Sequence, residues 1–293
     1  MANRYHVRSI SFPARSHPTT SRVEEELNKF KTCSSSTSES ICSGLSRLED
    51  LYECVEDLLN MGSTQQVLSR HRDQKYVDEL VDGSVKLVDI CGILRDLMLQ
   101  TNEHVRALQS ALRRRKGDSS IETSITSYNC FRKKMKKDVK KLMMALKQVD
   151  KNFESSSPAV DQDDHHLCAV IRVLREACGM NISIFQSLCV FLTVSGSKTK
   201  SSRWSLVSKL MHKGSVVALA CEDKEESVYE MQGVDSALCM ISLGAEYHAE
   251  KMQTGLKRLK ALENSINGLE NGLESVFRRL IKTRTSLLNV ISQ

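Results

Sequence analysis

Proline is almost missing from this chain. Its 293 residues include only three, Pro13, Pro18 and Pro158. Proline inside a helix removes a backbone donor and clashes with the preceding turn. The long intervals between Pro18 and Pro158, and from Pro158 onward, therefore leave helix open as the dominant state. Aromatic residues are also scarce, at 5%, which suits leucine-rich helix packing better than a β-sandwich. The ten cysteines form no CxxC pair and show no Cys/His ligand spacing, which speaks against a zinc ribbon or a dithiol redox motif. No secretory signal peptide is read, so the expectation is reduced, intracellular thiols packed as small hydrophobes.

Catalytic motifs are equally wanting. Gly196-Ser197-Lys198-Thr199 copies the end of a phosphate-binding loop but lacks the first glycine of that pattern. Asp163-Asp164-His165-His166 offers ligand atoms, yet adjacent histidines on a helix point about 100° apart. Acids at a helix start are explained by capping and by the helix dipole. The expectation is no metal site, no cofactor and no enzyme.

What the sequence does carry is a heptad seam. Steps of three and four residues land on Leu259, Leu262, Ile266, Leu269, Leu273, Val276, Leu280, Thr283, Leu287 and Val290, and only Thr283 is polar. Such spacing keeps an apolar stripe on one side of a helix, which must bury itself against another helix. The register extends backwards through Gly255, Met252, His248, Ala245, Ile241, Leu238, Val234 and Met231. It predicts one helix of about 90 Å at about 1.5 Å per residue. His248 on this seam reads as a register-setting polar residue. Gly268 and Gly272 form a GxxxG spacing that reads as a close helix contact.

Two further seams precede it. One is Ile41, Leu45, Leu48, Tyr52, Val55 and Leu59. The other is Leu80, Ser84, Leu87, Cys91, Leu94, Met98, Thr101, Val105, Leu108 and Leu112. Ser21-Arg22-Val23-Glu24 reads as a capping box opening the first helix. A serine-rich patch at Ser34 to Ser40 interrupts it. Gly62 and Gly117 read as helix stops, Ser63 to Gln66 and Ser119 to Glu122 as helix starts. Residues 155–164 read as a linker and 195–203 as a polar loop. The segment from Ala177 to Ser197 has no charge and reaches the length of a membrane span. Its Asn, Gln, Ser and Thr residues favour a buried bundle helix, with membrane association as the competing reading.

The net charge of +6 is uneven. Residues 103–151 hold fourteen Lys and Arg against five acids, a local +9 that leaves −3 for the rest. The predicted helix from about Ser127 to Phe153 aligns Arg132, Lys136 and Lys140, and likewise Lys133, Lys137 and Lys141, at i, i+4. Phe131, Met135, Val139, Leu142, Leu146 and Val149 supply its apolar side. A basic amphipathic helix can lie on anionic lipid, bind calmodulin or contact nucleic acid. It can also be no more than the solvated face of a bundle helix. Without a stacking platform or a DNA-binding motif, nucleic acid is the weakest of these partners.

Residues 1–22 read as a disordered basic tail with four arginines and no acid. Within it, Arg8, Ser11 and Pro13 fit the pattern read by 14-3-3 proteins once Ser11 is phosphorylated. The phosphate adds about −1.5 to −2 charges and three acceptor oxygens for an arginine cluster. An organelle transit peptide and a plain tail are the alternatives.

The string from Tyr5 through His6-Val7-Arg8-Ser9-Ile10-Ser11-Phe12-Pro13 to Pro18 resembles the opening of the plant BYPASS-like family. Ser202-Arg203-Trp204-Ser205-Leu206-Val207 agrees with it. So do Leu269-Glu270-Asn271-Gly272-Leu273-Glu274, Phe277 to Ile281, and Arg284 to Asn289. The resemblance implies an all-helical, plant-restricted protein linked to root and shoot development, with no catalytic residues to carry over. The combined expectation is an all-α, elongated, mainly antiparallel bundle spanning residues 23–293 and ending in a long heptad-patterned helix. Its expected role is that of an intracellular, most simply cytoplasmic, adaptor. The alternative is a peripheral membrane protein using the basic helix.

Overall fold

A computed structural model describes residues 18–30, 37–114, 118–155, 165–194, 230–242 and 248–292. Within them the chain forms α1 (Pro18–Phe30), α2 (Ser38–Leu59), α3 (Gly62–Arg70), α4 (Lys75–Arg114) and α5 (Asp118–Ser155). After these come α6 (His165–Thr193), α7 (Glu230–Ser242) and α8 (His248–Ile291). The fold is all-α, and no strand occurs among the described residues.

The starts of these helices follow local chemistry, with two departures from the sequence reading. The first helix opens at Pro18, ahead of the Ser21 box. A proline at the first helical position sacrifices a donor that would be unpaired anyway. α3 starts at Gly62 after Met61, which makes no side-chain cap; Thr64 instead bonds the His166 ring Nε2 at 3.3 Å. Gly62, read as a helix stop, is the first residue of α3, α2 having ended at Leu59, and Gly117 lies outside the described residues. Thr37 caps α2 by accepting from the Ser40 amide at 3.3 Å. α1 ends at Phe30 and α2 begins at Ser38 within the serine-rich patch, whose first residues, 34–36, lie outside the described residues.

All nine apolar positions of the C-terminal seam, Leu259 to Val290, are buried. They pack within the chain, α8 lying against α4, α2 and α7. α4 runs antiparallel to α8, as three contacts along its length demonstrate. Asn102 Nδ2 donates to Asn267 at 2.9 Å, Arg106 meets Glu263 at 3.1 Å, and Arg284 reaches Ser84 at 2.9 Å. α2 runs parallel to α8, with Ser38 beside Ser265 and Glu56 beside Arg279 and Lys282. The GxxxG glycines make this pairing close. A Cβ on Gly272 would sit 2.9 Å from Leu45, and one on Gly268 would sit 3.3 Å from the Cys42 sulfur.

The continuation of the seam before residue 248 is corrected. α7 and α8 are two helices, and α7 folds back along α8. Glu230 accepts from Ser265 at 3.0 Å, and Arg258 donates to the Gly233 carbonyl at 2.8 Å. Residues 25 apart in one helix would stand about 37 Å from each other. The heptad phase persists across the break because both arms of a hairpin bury an apolar stripe against common neighbours. α8 alone is about 66 Å long.

The uncharged segment becomes the second half of α6. Ile182, Phe185, Leu188, Phe191 and Leu192 are buried where α6 meets α2, α4 and α5. Among the described residues, no helix is long and apolar enough to cross a membrane. One connected cluster of buried apolar side chains extends from Val23 on α1 to Val290 on α8.

Candidate functional site

α5 is where the charge excess acquires a geometry. Tyr128, Phe131, Met135, Val139, Leu142, Leu146 and Val149 are buried, against α4 and α6. The opposite side therefore faces water, and Lys133, Lys137, Lys140 and Lys141 are exposed on it. Lys147 and Lys151 are exposed too and continue the same row. Positions 133, 137, 140, 144, 147 and 151 step by four and three, a heptad stripe written in lysine around a single Met144. That methionine is 58% exposed. The stripe covers about 27 Å at about 1.5 Å per residue. The i, i+4 rows begun at Arg132 and Lys133 stop at Lys140 and Lys141, whereas heptad counting on the polar face carries the stripe on to Lys147 and Lys151.

Among the described residues, Lys133, Lys137, Lys140, Lys147 and Lys151 make no ion pair. Lys141 holds Asp138 at 3.3 Å. α4 lies antiparallel beside α5, with the His104 ring stacked on Phe131 at 4.3 Å and Thr101 bonded to Met135. Asp82, Asp89, Asp96 and Glu103 are exposed on α4 at seven-residue intervals. An acidic row thus accompanies the lysine row, Asp96 level with Lys140 and Glu103 level with Lys133.

Two members of the expected basic surface stand apart. Arg132 is not on the surface: it is 3% exposed. It occupies the row Tyr128, Arg132, Met135, Val139, the apolar side of α5, so its burial was legible in that spacing. Its guanidinium donates to Asp235 Oδ2 at 2.8 Å, to the Val194 carbonyl at 3.0 Å and to the Leu192 carbonyl. Tyr128 donates to the same Asp235 at 3.0 Å. This node fastens the last turn of α6 and the face of α7 to α5. Burial, and then the Asp235 charge, push the Tyr128 phenol well above its ordinary range. Lys136 is half-buried beside the node, and burial followed by the Arg132 charge lowers its pKa.

No cluster of three or more His, Cys, Asp or Glu side chains suited to a metal occurs among the described residues. His165 is exposed while His166 turns to Thr64, so the pair does not converge. Arg8, Ser11 and Pro13 lie outside the described residues, as do Asp163, Asp164 and Gly196 to Thr199.

Among protein families, the chain matches the model described as Protein BPS1 over residues 44–290. No curated protein and no solved structure matches it.

Proposed function

The chain belongs to the BPS1 family, and from that premise we propose that it is a non-enzymatic helical adaptor of plant development, acting in the root and shoot. Its docking surface is the lysine stripe of α5. The observation that supports this reading is the stripe itself, five lysines without an ion-pair partner among the described residues, in heptad register on a helix whose opposite face is fixed in the core. Lysine is easily solvated, so the bundle has no folding requirement for this alignment. A narrow acidic helix or strand from a partner would neutralise the row over its whole length. The acidic row of α4 argues against a flat contact, because an anionic bilayer wide enough to cover α5 would also approach Asp89 and Asp96.

Membrane association remains the second reading, favoured by Met144 at the centre of the stripe. Each lysine close to an anionic surface contributes about 1 kcal/mol. Reversing Lys137, Lys140, Lys147 and Lys151 to Glu tests both readings. Pull-down from plant tissue is expected to lose salt-sensitive partners with the variant, and neither protein is expected to float with phosphatidylserine vesicles. Flotation of the wild type alone would replace the adaptor reading with the membrane one. Identical partners for both proteins would leave the stripe as plain solvated surface.

A further inference from the structure

At the end of the bundle where α2 and α8 finish and α4 begins, the packing leaves a cavity of about 40 Å³. Its walls are apolar, contributed by Tyr52 on α2, Leu80 and Leu87 on α4, Leu174 on α6, and Leu280 and Leu287 on α8. A water needs only about 10–15 Å³ measured this way, but it also needs two to four polar partners. These walls supply few, so the space favours a slender apolar group over trapped solvent.

Two polar groups at the cavity have unused capacity. Arg284 lines it, its Nη1 anchored to the Val81 carbonyl at 3.0 Å and to Ser84 Oγ at 2.9 Å. Arg95, Arg106, Arg132, Arg278 and Arg279 all pair with carboxylates. Arg284 is half-buried and has no carboxylate among the described residues. Beside it, Thr283 Oγ1 is buried with no hydrogen-bond partner there. A half-buried guanidinium held by neutral acceptors retains donors in a planar fork that fits a carboxylate. An adjacent hydroxyl can add one more bond.

We propose that this cavity binds a small amphipathic monocarboxylate, its slender apolar body lodged among α2, α4, α6 and α8 and its carboxylate on Arg284 and Thr283. The site is separate from the lysine stripe and does not depend on the adaptor reading. Ligand sites combine these elements, an apolar concavity and a few placed polar groups that fix orientation. The carboxylate supplies the missing counter-charge, and the apolar body sets the size limit.

Butyrate and 1-butanol are the probes, a three-carbon body being about what a space for roughly three waters can take; binding is followed on the full chain by saturation-transfer NMR and by thermal shift. Butyrate is expected to bind at least about tenfold more tightly than the alcohol, a difference of about 1.4 kcal/mol. Arg284→Gln should erase that preference while keeping the alcohol's weak binding. Ala177→Leu, which fills the space from α6, should remove both. Should the filled variant fail to fold, wild-type methyl spectra decide, with shifts expected at Leu280 and Leu287. Absence of butyrate binding overturns the proposal, as does an unchanged preference in Arg284→Gln or shifts confined to residues away from the cavity.

Discussion

Replacing Arg132 with methionine tests the buried node on α5 most directly. The wild-type guanidinium is 3% exposed and satisfies three groups at once, the Asp235 carboxylate and the carbonyls of Leu192 and Val194. Methionine keeps the length and the packing but satisfies none of them. Breaking a buried pair by removing one partner costs about 3–5 kcal/mol. Asp235 still keeps the Tyr128 hydroxyl and a side chain 21% open to water, so the low half of that range applies. At about 2.1 cal/mol/K of unfolding entropy per residue, a loss of about 3–4 kcal/mol corresponds to a fall in Tm of roughly 5–7 °C for a chain of this size. The reverse removal, Asp235→Asn, leaves the arginine on two carbonyls and should cost less, about 2–3 kcal/mol. The double variant Arg132→Met with Asp235→Leu removes both charges. It should lose less than the sum of the two, with a coupling of about 1.5 kcal/mol or more. Urea unfolding followed by far-ultraviolet circular dichroism measures all three, and Lys133→Met on the exposed face is the control. If Arg132→Met unfolds within about 0.5 kcal/mol of the wild type, or the double variant is additive, the node contributes nothing and the argument from burial fails.

Acid stability has a named contributor in Glu263. Hydrogen bonds from Lys260 and Gln109 hold its carboxyl below the ordinary glutamate value, against an opposing effect of burial, and Arg106 adds to them. A depressed folded pKa gives stability that is present above the unfolded value and lost as pH falls through the folded one. Glu263→Gln should therefore flatten the unfolding curve below about pH 4.3; an unaltered acid limb would refute this. Burial pushes the thiols of Cys91 and Cys189 up to about 12, while Cys130 and Cys239 are exposed. Iodoacetamide near neutral pH is expected to label the exposed pair first and to reach the buried pair only after denaturation, as read by peptide mass spectrometry. A peptide of residues 4–18 phosphorylated on Ser11 should bind a plant 14-3-3 protein more tightly than its unphosphorylated form. Equal affinities by calorimetry would end the docking role proposed for Arg8, Ser11 and Pro13.

The fold was largely written in the spacing of leucines. The seams through Ile41, Leu87 and Leu269 each mark a buried face, because a heptad stripe has no other stable fate in water. The hairpin between α7 and α8 was not legible. Phase continuity through Ile241 and Gly255 is compatible with one helix or with two arms packed on common neighbours, and periodicity carries no information on direction. Arg132 shows the opposite failure. Its charge outweighed its position in the reading, although it sits in row with Tyr128 and Met135. A long side chain can occupy an apolar row when carbonyls and an acid await its end, and those partners lie 60 to 103 residues away. The lysine stripe was half visible, truncated because five apolar residues, Leu142 to Leu146, separate Lys141 from Lys147. The cavity had no sequence signal at all, since it depends on how four helices fail to meet.

The parallel pairing of α2 with α8 has a consequence for biogenesis. Ser38 and Ser265 are 227 residues apart, and Glu56 and Arg279 are 223 apart. A ribosome adds about 5–20 residues per second, so α2 emerges roughly ten to forty-five seconds before the helix that covers it is made. During that interval Leu45, which packs on Gly272 of α8, lacks that cover, and the nascent chain is a natural client for chaperones that shield apolar stretches. Long-range closure of this kind also slows folding after release. A premature stop anywhere in α8 would thus leave a long, sticky intermediate rather than a shortened but functional bundle, and quality control, not partial activity, would decide its fate.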